Sequence, residues 1–587
     1  MSGRISSRFL LFVGLLAGLG NAGLQVYPPV LNTTSMVATV TWTGVAHPNA
    51  DDYIEATPKG HMLWSHSFHT KKVSTCTKWQ TGNCSVWFVV MHVNKDYEFR
   101  YISKPHNQVL HSFILPAPDY PLFAYLAPTK RPNELQLVWT LRALTNGEAR
   151  YGTDPANLKH LATAKAWQEP YRDKCKPLWG TYSVRYTAVL TDLVPGQTYY
   201  YIYGSSQTGL WSSVRSFQGP PDHNSQVNIL LTADTTPDHL DSSAGRDVNS
   251  RMARHLYDQV NKRQGTLLFL NGDLSYAKQQ YEWMHWWAPY EAVATRIPLI
   301  TSKGNHDCAS LYNLYFPMIE DEKKKEPAED AHVTNFFSFD HGPVHFIVLN
   351  LHVGLGVCTP ECIKRQKAWL AVDLAAVNRS QTPWIIVGSH LPFYTTWTPW
   401  WTKQESIKRT QELDPLLEEY HVDLTIGAHV HQYERTCRVL NETCVEDGEH
   451  YGIVHTVVGT GGRAKHEFSS SEHWIRNRYL VKGYARIKAD HTTLQWEYVY
   501  TQPDNLDGSD PFPPGAVLDS FTLIKPNPNK MSHVSSSSQL MVPPKQPLKF
   551  WSGFPHMYDN PWLLWQQFSK MIGRVLHANL SLISDEV

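Results

Sequence analysis

The residues with the clearest capacity for chemistry fall in five short motifs across the middle of this chain. They are T-A-D ending at Asp234, G-D-L-S-Y with Asp273 and Tyr276, G-N-H-D with Asn305 and His306, G-S-H ending at His390, and G-A-H-V-H with His429 and His431. Any one of these Asp or His residues, taken alone, reads as an ordinary surface or hydrogen-bonded residue. Together, in this order and at intervals of roughly 30 to 85 residues, they supply a complete ligand set for two metal ions. The donors divide by hardness. Asp234, Asp273 and the Tyr276 phenol, completed by one imidazole, suit a trivalent ion, whereas the Asn305 amide oxygen and two imidazoles suit a softer divalent one. Asp273 stands between the two groups in sequence and is the natural bridge. With one +3 and one +2 ion, two carboxylates, a phenolate and a bridging hydroxide leave about +1, which attracts a phosphate anion and stabilises in-line displacement at phosphorus. The motifs read as those of a metallohydrolase.

Such donors need rigid elements behind them. Four of the five motifs follow a short apolar run: Val227 to Leu231, Leu267 to Leu270, Ile385 to Val387 and Leu424 to Ile426. Runs of that length read as buried strands, and open α/β sheets build their sites at the C-terminal ends of strands. His429 and His431 are two residues apart, so an extended backbone would project both to one side of the chain.

The motifs resemble those of the purple acid phosphatases, a branch of the metallophosphoesterases. The resemblance implies that Asp234, Tyr276 and His431 hold Fe(III), that Asn305, His390 and His429 hold a divalent Zn, Mn or Fe, and that Asp273 bridges the two. Tyr276 would give the family's colour through phenolate-to-iron charge transfer, and His306 would orient substrate or protonate the leaving group. Gln432 to Arg435 and Gly459 to Gly462 also fit the family pattern. Two departures stand out. The family's first motif reads G-D-x-G, but here it is Ala233-Asp234-Thr235-Thr236, without the conformational freedom of either glycine. After His390, plant members carry two substrate-facing histidines where this chain has Pro399 and Trp400, close to Trp397 and Trp401. His306, and behind it His352, remain to act as the catalytic acid.

The expected fold class is multidomain α/β and all-β. A C-terminal four-layer α/β metallophosphoesterase domain would be preceded by a fibronectin III-like β-sandwich and a further N-terminal β domain. Short strand-like stretches such as Val37 to Trp42, Val86 to Val90, Leu135 to Thr140 and Tyr199 to Tyr203 carry this expectation, as does the turn Leu193 to Tyr199, which resembles fibronectin III. The expected limits are a signal peptide at 1–22, the N-terminal β domain at 23–118, the fibronectin III-like domain at 119–221, the catalytic domain at 222–525, and a Pro/Ser-rich tail with an amphipathic helix at 526–587.

Arg4 and Arg8, the apolar run Phe9 to Leu19 and Gly20-Asn21-Ala22 compose the signal peptide, and no later run is long enough to span a membrane. The sequence thus points to a secreted, extracellular glycoprotein with no transmembrane anchor. Asn32, Asn83, Asn378, Asn441 and Asn579 are glycosylation acceptors. Eight cysteines include three close pairs suited to an oxidising compartment, Cys76 with Cys84, Cys358 with Cys362 and Cys437 with Cys444. Cys175 and Cys308 are left over; they permit the homodimer common in the family without requiring it. Lys+Arg and Asp+Glu both number 53, so charge gives no reason to expect nucleic acid as a partner.

The leading reading is an acid phosphatase that hydrolyses the monoester of a phosphorylated small molecule with metal-activated hydroxide as nucleophile. A phosphodiesterase or nucleotide pyrophosphatase on the same scaffold, with the tryptophans near Trp397 holding the leaving group, is the second reading. A glycosylated binding protein with a silent metal site is the third.

Overall fold

The computed structural model describes residues 23–31, 35–59, 69–91, 96–117, 119–167, 184–236, 248–277, 280–307, 309–318, 336–351, 360–397, 412–445, 451–463, 466–502 and 512–525. The signal segment, the tail, His352, Cys175, Cys308, Cys358, Pro399 and Trp400 lie outside these residues.

Alternation of buried and exposed side chains produces two successive pairs of antiparallel sheets. In the first pair, Gly23–Tyr27, Ser35–Thr43 and Cys84–Met91 face His69–Lys72, Tyr53–Pro58, Tyr97–Ser103 and Gln108–Leu115. Phe88 meets Phe99 across the two sheets with ring centroids 5.7 Å apart, and Trp42 meets Tyr101 at 5.9 Å. In the second pair, a four-stranded sheet containing Leu122–Pro128 and Leu135–Leu141 covers a five-stranded one containing Thr198–Ser205, and Trp139 packs across onto Tyr203 at 5.7 Å. Leu122–Pro128 is buried along its whole length because it also packs on the α/β region that follows. There Phe123 stacks between Tyr315 at 3.8 Å and Trp287 at 4.7 Å.

The region that follows, from Val227 to Ile524, holds two sheets. One sheet contains β1 (Val227–Thr232), β2 (Leu267–Asn271) and β3 (Leu299–Ser302). The other contains β4 (Phe337–His341), β5 (Val344–Leu349), β6 (Trp384–Ser389), β7 (Leu424–Gly427), β8 (Tyr433–Leu440), β9 (Thr443–Val445), β10 (Ile453–Val458) and β11 (Ile475–Tyr479). β12 (Lys482–Ala489), β13 (Thr493–Gln502) and β14 (Val517–Ile524) return to the first sheet, which runs β3-β2-β1-β12-β13-β14. β1, β2 and β3 are parallel, as are β5, β6, β7 and β10.

Helices α1 (Val248–Asn261) and α2 (Gln280–Ala294) cover the first sheet, and α4 (Pro360–Ala376) covers the second; the short α3 (Ala309–Tyr315) lies after β3. Trp283, Trp286, Trp287 and Tyr290 recur at helical spacing and give α2 its buried face. β5 shows why the region is layered. Phe346 and Val348 point inward, Phe346 meeting Phe269 of β2 at 5.2 Å, while Ile347 and Leu349 join the cluster containing Leu370 and Leu374 of α4. A strand covered on both faces reads as an unbroken apolar run.

Candidate metal centre

All five motifs begin within two residues of the C-terminal end of a strand, β1, β2, β3, β6 and β7 in turn. The short strand β3, ahead of Asn305, joins the four expected from the sequence. The turns are tight. Asp234, Asp273, Tyr276 and His429 adopt φ of 55, 46, 52 and 67°, a left-handed region that side chains other than glycine seldom occupy. Four donors thus concentrate backbone strain at one place. This corrects the expectation of an extended backbone at His429 and His431: residues 429–432 form successive bends, with Val430 N–H donating to Ala428 O and Gln432 N–H to Val430 O at 2.7 Å each. Both histidines reach the centre through that bend.

The donors fall into two groups in space. Tyr276 Oη lies 3.0 Å from Asp234 Oδ1 and 2.9 Å from His431 Nε2, and His431 Nε2 lies 3.4 Å from Asp234 Oδ1. In the other group, His429 Nδ1 lies 2.9 Å from Asn305 Oδ1, and the ligand atoms of Asp273, His390 and His429 fall within 4.8 Å of one another. The groups adjoin, since His390 Nε2 is 3.4 Å from Asp273 Oδ2 and 3.9 Å from Asp234 Oδ1. His306 is exposed at the edge: its N–H donates to Asp273 Oδ1 at 2.8 Å, and its ring centroid stands 4.8 Å from that of Tyr276.

A shell of partners aims these side chains. His390 Nδ1–H donates to Asn271 O at 2.8 Å, which turns Nε2 toward the carboxylates. Asn271 Nδ2 also donates to Ser389 O and Ile426 O, tying together the ends of β2, β6 and β7. Asp307 accepts from Leu274 N at 2.8 Å and Gly304 N at 2.9 Å and so joins the turns after β2 and β3. Gly304 has no alternative, because a Cβ there would sit 2.1 Å from Asp273 Oδ1. Gly272, at φ 79°, would place one 2.5 Å from His390 Nδ1. At the altered first motif, the Thr235 hydroxyl donates to Leu274 O and accepts from Trp286 Nε1 at 2.8 Å, so bonds hold the turn that glycines usually permit.

The sequence reading missed three basic residues beside these donors. Arg463 lies with its guanidinium 4.6 Å from the Tyr276 ring centroid. His466 stacks between His431 and Trp397, at 4.1 Å from each. Lys482, buried, donates to the carbonyls of Gly462 and Arg463. The signal available was the pair of basic residues shortly after Gly459 to Gly462. Trp397 has one face covered by His466, which leaves it half of the platform that the diesterase reading needs.

Electrostatics favour a cation. Burial alone would lower the His390 imidazolium, but Asp273 and then Asp234 hold it up to about 9. Burial also opposes ionisation of Asp273, and His390 outweighs it, keeping that carboxyl well below the usual range. Burial and then His390 push His429 down to about 4, and burial and then Asp234 raise the Tyr276 phenol. Asp234 and Asp273 are at most 1% exposed, and Asp273 Oδ2 makes no hydrogen bond among the described residues. Buried carboxylates so placed are relieved by a positive ion, whose own charge would reverse the upward shifts of His390 and Tyr276 and deepen the downward ones of Asp273 and His429. The residues present fit metal ions.

Three family models match the chain in order: the purple acid phosphatase N-terminal domain at residues 121–218, the calcineurin-like phosphoesterase at 227–433, and the iron/zinc purple acid phosphatase-like protein C at 452–509. The chain is 24% identical over 537 residues to probable inactive purple acid phosphatase 9 of Arabidopsis thaliana, covering 79% of each. It is 26% identical over 344 residues to purple acid phosphatase 23 of the same plant, covering 54% of this chain and 70% of the relative. The purple acid phosphatase PPD1 from yellow lupin (Lupinus luteus) seeds shares the fold, with a TM-score of 0.67 and 20% identity over 86% of this chain and 96% of that one. The chain belongs to the purple acid phosphatase family.

Proposed function

We propose that this chain is a secreted acid phosphatase, a phosphoric monoester hydrolase for phosphorylated small molecules. In this reading Fe(III) is held by Asp234, Tyr276 and His431, a divalent Zn, Mn or Fe by Asn305, His390 and His429, and Asp273 is shared. The observation that carries it is the convergence of seven donors into two adjoining groups whose chemistry differs as the two ions require. When bound, the metal pair supplies a hydroxide nucleophile and positive charge for the phosphoryl oxygens. The chain supplies the rest. Asn271 and Asp307 lock the donors before substrate arrives, and His306, exposed beside Tyr276, stands where it reaches a leaving-group oxygen. The relatives named probable inactive make a silent centre the competing reading.

Secretion is part of the proposal. Cys76–Cys84 and Cys437–Cys444 are disulfides, Cys362 is disulfide-bonded, and the acceptors Asn83, Asn378 and Asn441 are exposed. Among the described residues no helix is long and apolar enough to cross a membrane. The limits 23–118, 119–221 and 222–525 are the domain division we propose.

The test is the pH-rate profile of the purified, metal-loaded protein on a chromogenic monoester and on the matching diester, with Asp273→Asn as control. Turnover of the monoester with an acidic optimum, lost in the control, is expected. Absence of turnover at full metal content would sink the phosphatase reading, and preference for the diester would redirect it.

A further inference from the structure

The metal donors and His306 leave unexplained the loop between β10 and β11, which is built against them. Its backbone is tied to two donor-bearing turns. Gly461 N–H donates to Ala233 O at 2.8 Å, Arg463 N–H to Asp234 O at 3.0 Å, and His466 N–H to His431 O at 3.3 Å. Lys482, 3% exposed, grips the carbonyls of Gly462 and Arg463 at 3.0 Å each. Backbone held in this way fixes the side chains of Arg463 and His466 in place.

Those side chains are suited to an anion. The Arg463 guanidinium lies over the ring of Tyr276, whose oxygen is one of the donors. His466 is sandwiched by parallel rings, 13° from His431 and 4° from Trp397. Trp397 is secured in turn, because the Thr396 N–H just before it donates to both oxygens of buried Glu434 at 3.0 Å. His431 N–H donates to His466 Nδ1 at 3.1 Å, which requires a lone pair on that nitrogen and places the neutral ring's proton on Nε2. That Nε2–H has no hydrogen-bond partner among the described residues. A ring that cannot turn without breaking two stacks, and that carries a proton no described residue receives, is a preorganised donor.

We propose that Arg463 and His466 form a phosphate-recognising edge of the centre, the guanidinium supplying charge and the neutral Nε2–H a directed hydrogen bond to the phosphoryl oxygens. The inference rests on the reading of the centre as a phosphate site. It gives this chain two anion-binding side chains from a different loop than the one where plant relatives carry histidines and this chain has Pro399 and Trp400.

The experiment is calorimetric titration of inorganic phosphate into the metal-loaded full-length protein, with metal content and steady-state constants measured in parallel. Arg463→Gln and His466→Ala should each weaken phosphate binding by about tenfold, the scale of one lost hydrogen bond to a charged group, and raise KM at unchanged metal content. His466→Gln, which keeps an N–H donor, should recover part of the loss. Arg463→Lys and His466→Gln serve if either larger change prevents secretion of folded protein. Unchanged phosphate affinity at full metal content would overturn the proposal. So would affinity that falls only in step with metal content, since the pair would then merely buttress Tyr276 and His431. A wild-type protein that binds phosphate with this dependence but cleaves no ester would end the phosphatase reading and leave the inference standing. A wild-type protein that binds no phosphate would end the inference itself.

Discussion

Asp234 holds a left-handed backbone in a motif without glycine, at a strain of about 1 kcal/mol. Thr235 is the local compensation, because its hydroxyl links β2's turn, through Leu274 O, to the indole of α2, through Trp286 Nε1. Thr235→Val keeps the shape and removes the hydroxyl, leaving a buried carbonyl and a buried N–H without their partner. We expect a loss of about 2 kcal/mol in denaturant unfolding, with Thr235→Ser losing less than half of that. A valine variant as stable as the wild type would show that the turn is held by something else. Tyr276 offers a spectroscopic test at the same scale. Under the proposed ligand assignment Tyr276→Phe abolishes visible absorption and leaves some turnover, and an unchanged spectrum would refute Tyr276 as the iron ligand.

At the scale of elements, strands were legible and the turns between them were not. The apolar runs before Asp234, Asp273, His390 and His429 are strands because both their faces are covered, which leaves a plain mark in the sequence. The bend at His429 leaves none, because a dihedral angle imposed by tertiary contacts has no periodicity. Asn271, Lys482 and His466 were equally hidden, since each acts on groups brought near only by sheet order; β12, which carries Lys482, lies beside β1 although helices and both sheets intervene in the chain. One such contact has a pH consequence. His345 on β5 joins Asp340 on β4, at 2.7 Å, to Asp373 on α4, at 3.1 Å. Burial alone would lower its pKa, but Asp340 and Asp373 raise it from 6.5 to about 9. A raised pKa means that the folded state binds the proton more tightly, so this stability is fully present below about pH 6.5 and is lost as pH rises through about 9. The size is about 2 to 3 kcal/mol. Melting followed from pH 6 to 10 should therefore fall more steeply in the wild type than in His345→Gln. Parallel curves would remove His345 as the cause.

For the whole molecule, the decisive fact is that the candidate donors come from both sheets of the phosphoesterase region. Asp234, Asp273, Tyr276 and Asn305 follow strands of the first sheet, and His390, His429 and His431 follow strands of the second. Bound metal would therefore cross-link two sheets that otherwise meet through apolar packing such as Phe269 on Phe346 and through the Asn271 hydrogen bonds to Ser389 and Ile426. Without it, the buried carboxylates of Asp234 and Asp273 both lie against the His390 imidazole, at 3.9 and 3.4 Å. The effect should spread unevenly. The second β region is coupled to α2 through Arg215 on Glu291 at 3.0 Å and Tyr201 Oη donating to Thr295 O at 2.6 Å, whereas the first β region has its own core around Trp42 and contributes no donor. Ligand binding at a thousand times its dissociation constant stabilises by about 4 kcal/mol, so chelation should lower the melting temperature of the phosphoesterase region by about 10 °C. Hydrogen exchange should accelerate in β1, β2, β6 and β7 and change little in the strand containing Trp42. Uniform acceleration over all three regions would mean that they unfold as one unit, and no change in β6 and β7 would mean that the metal does not join the sheets.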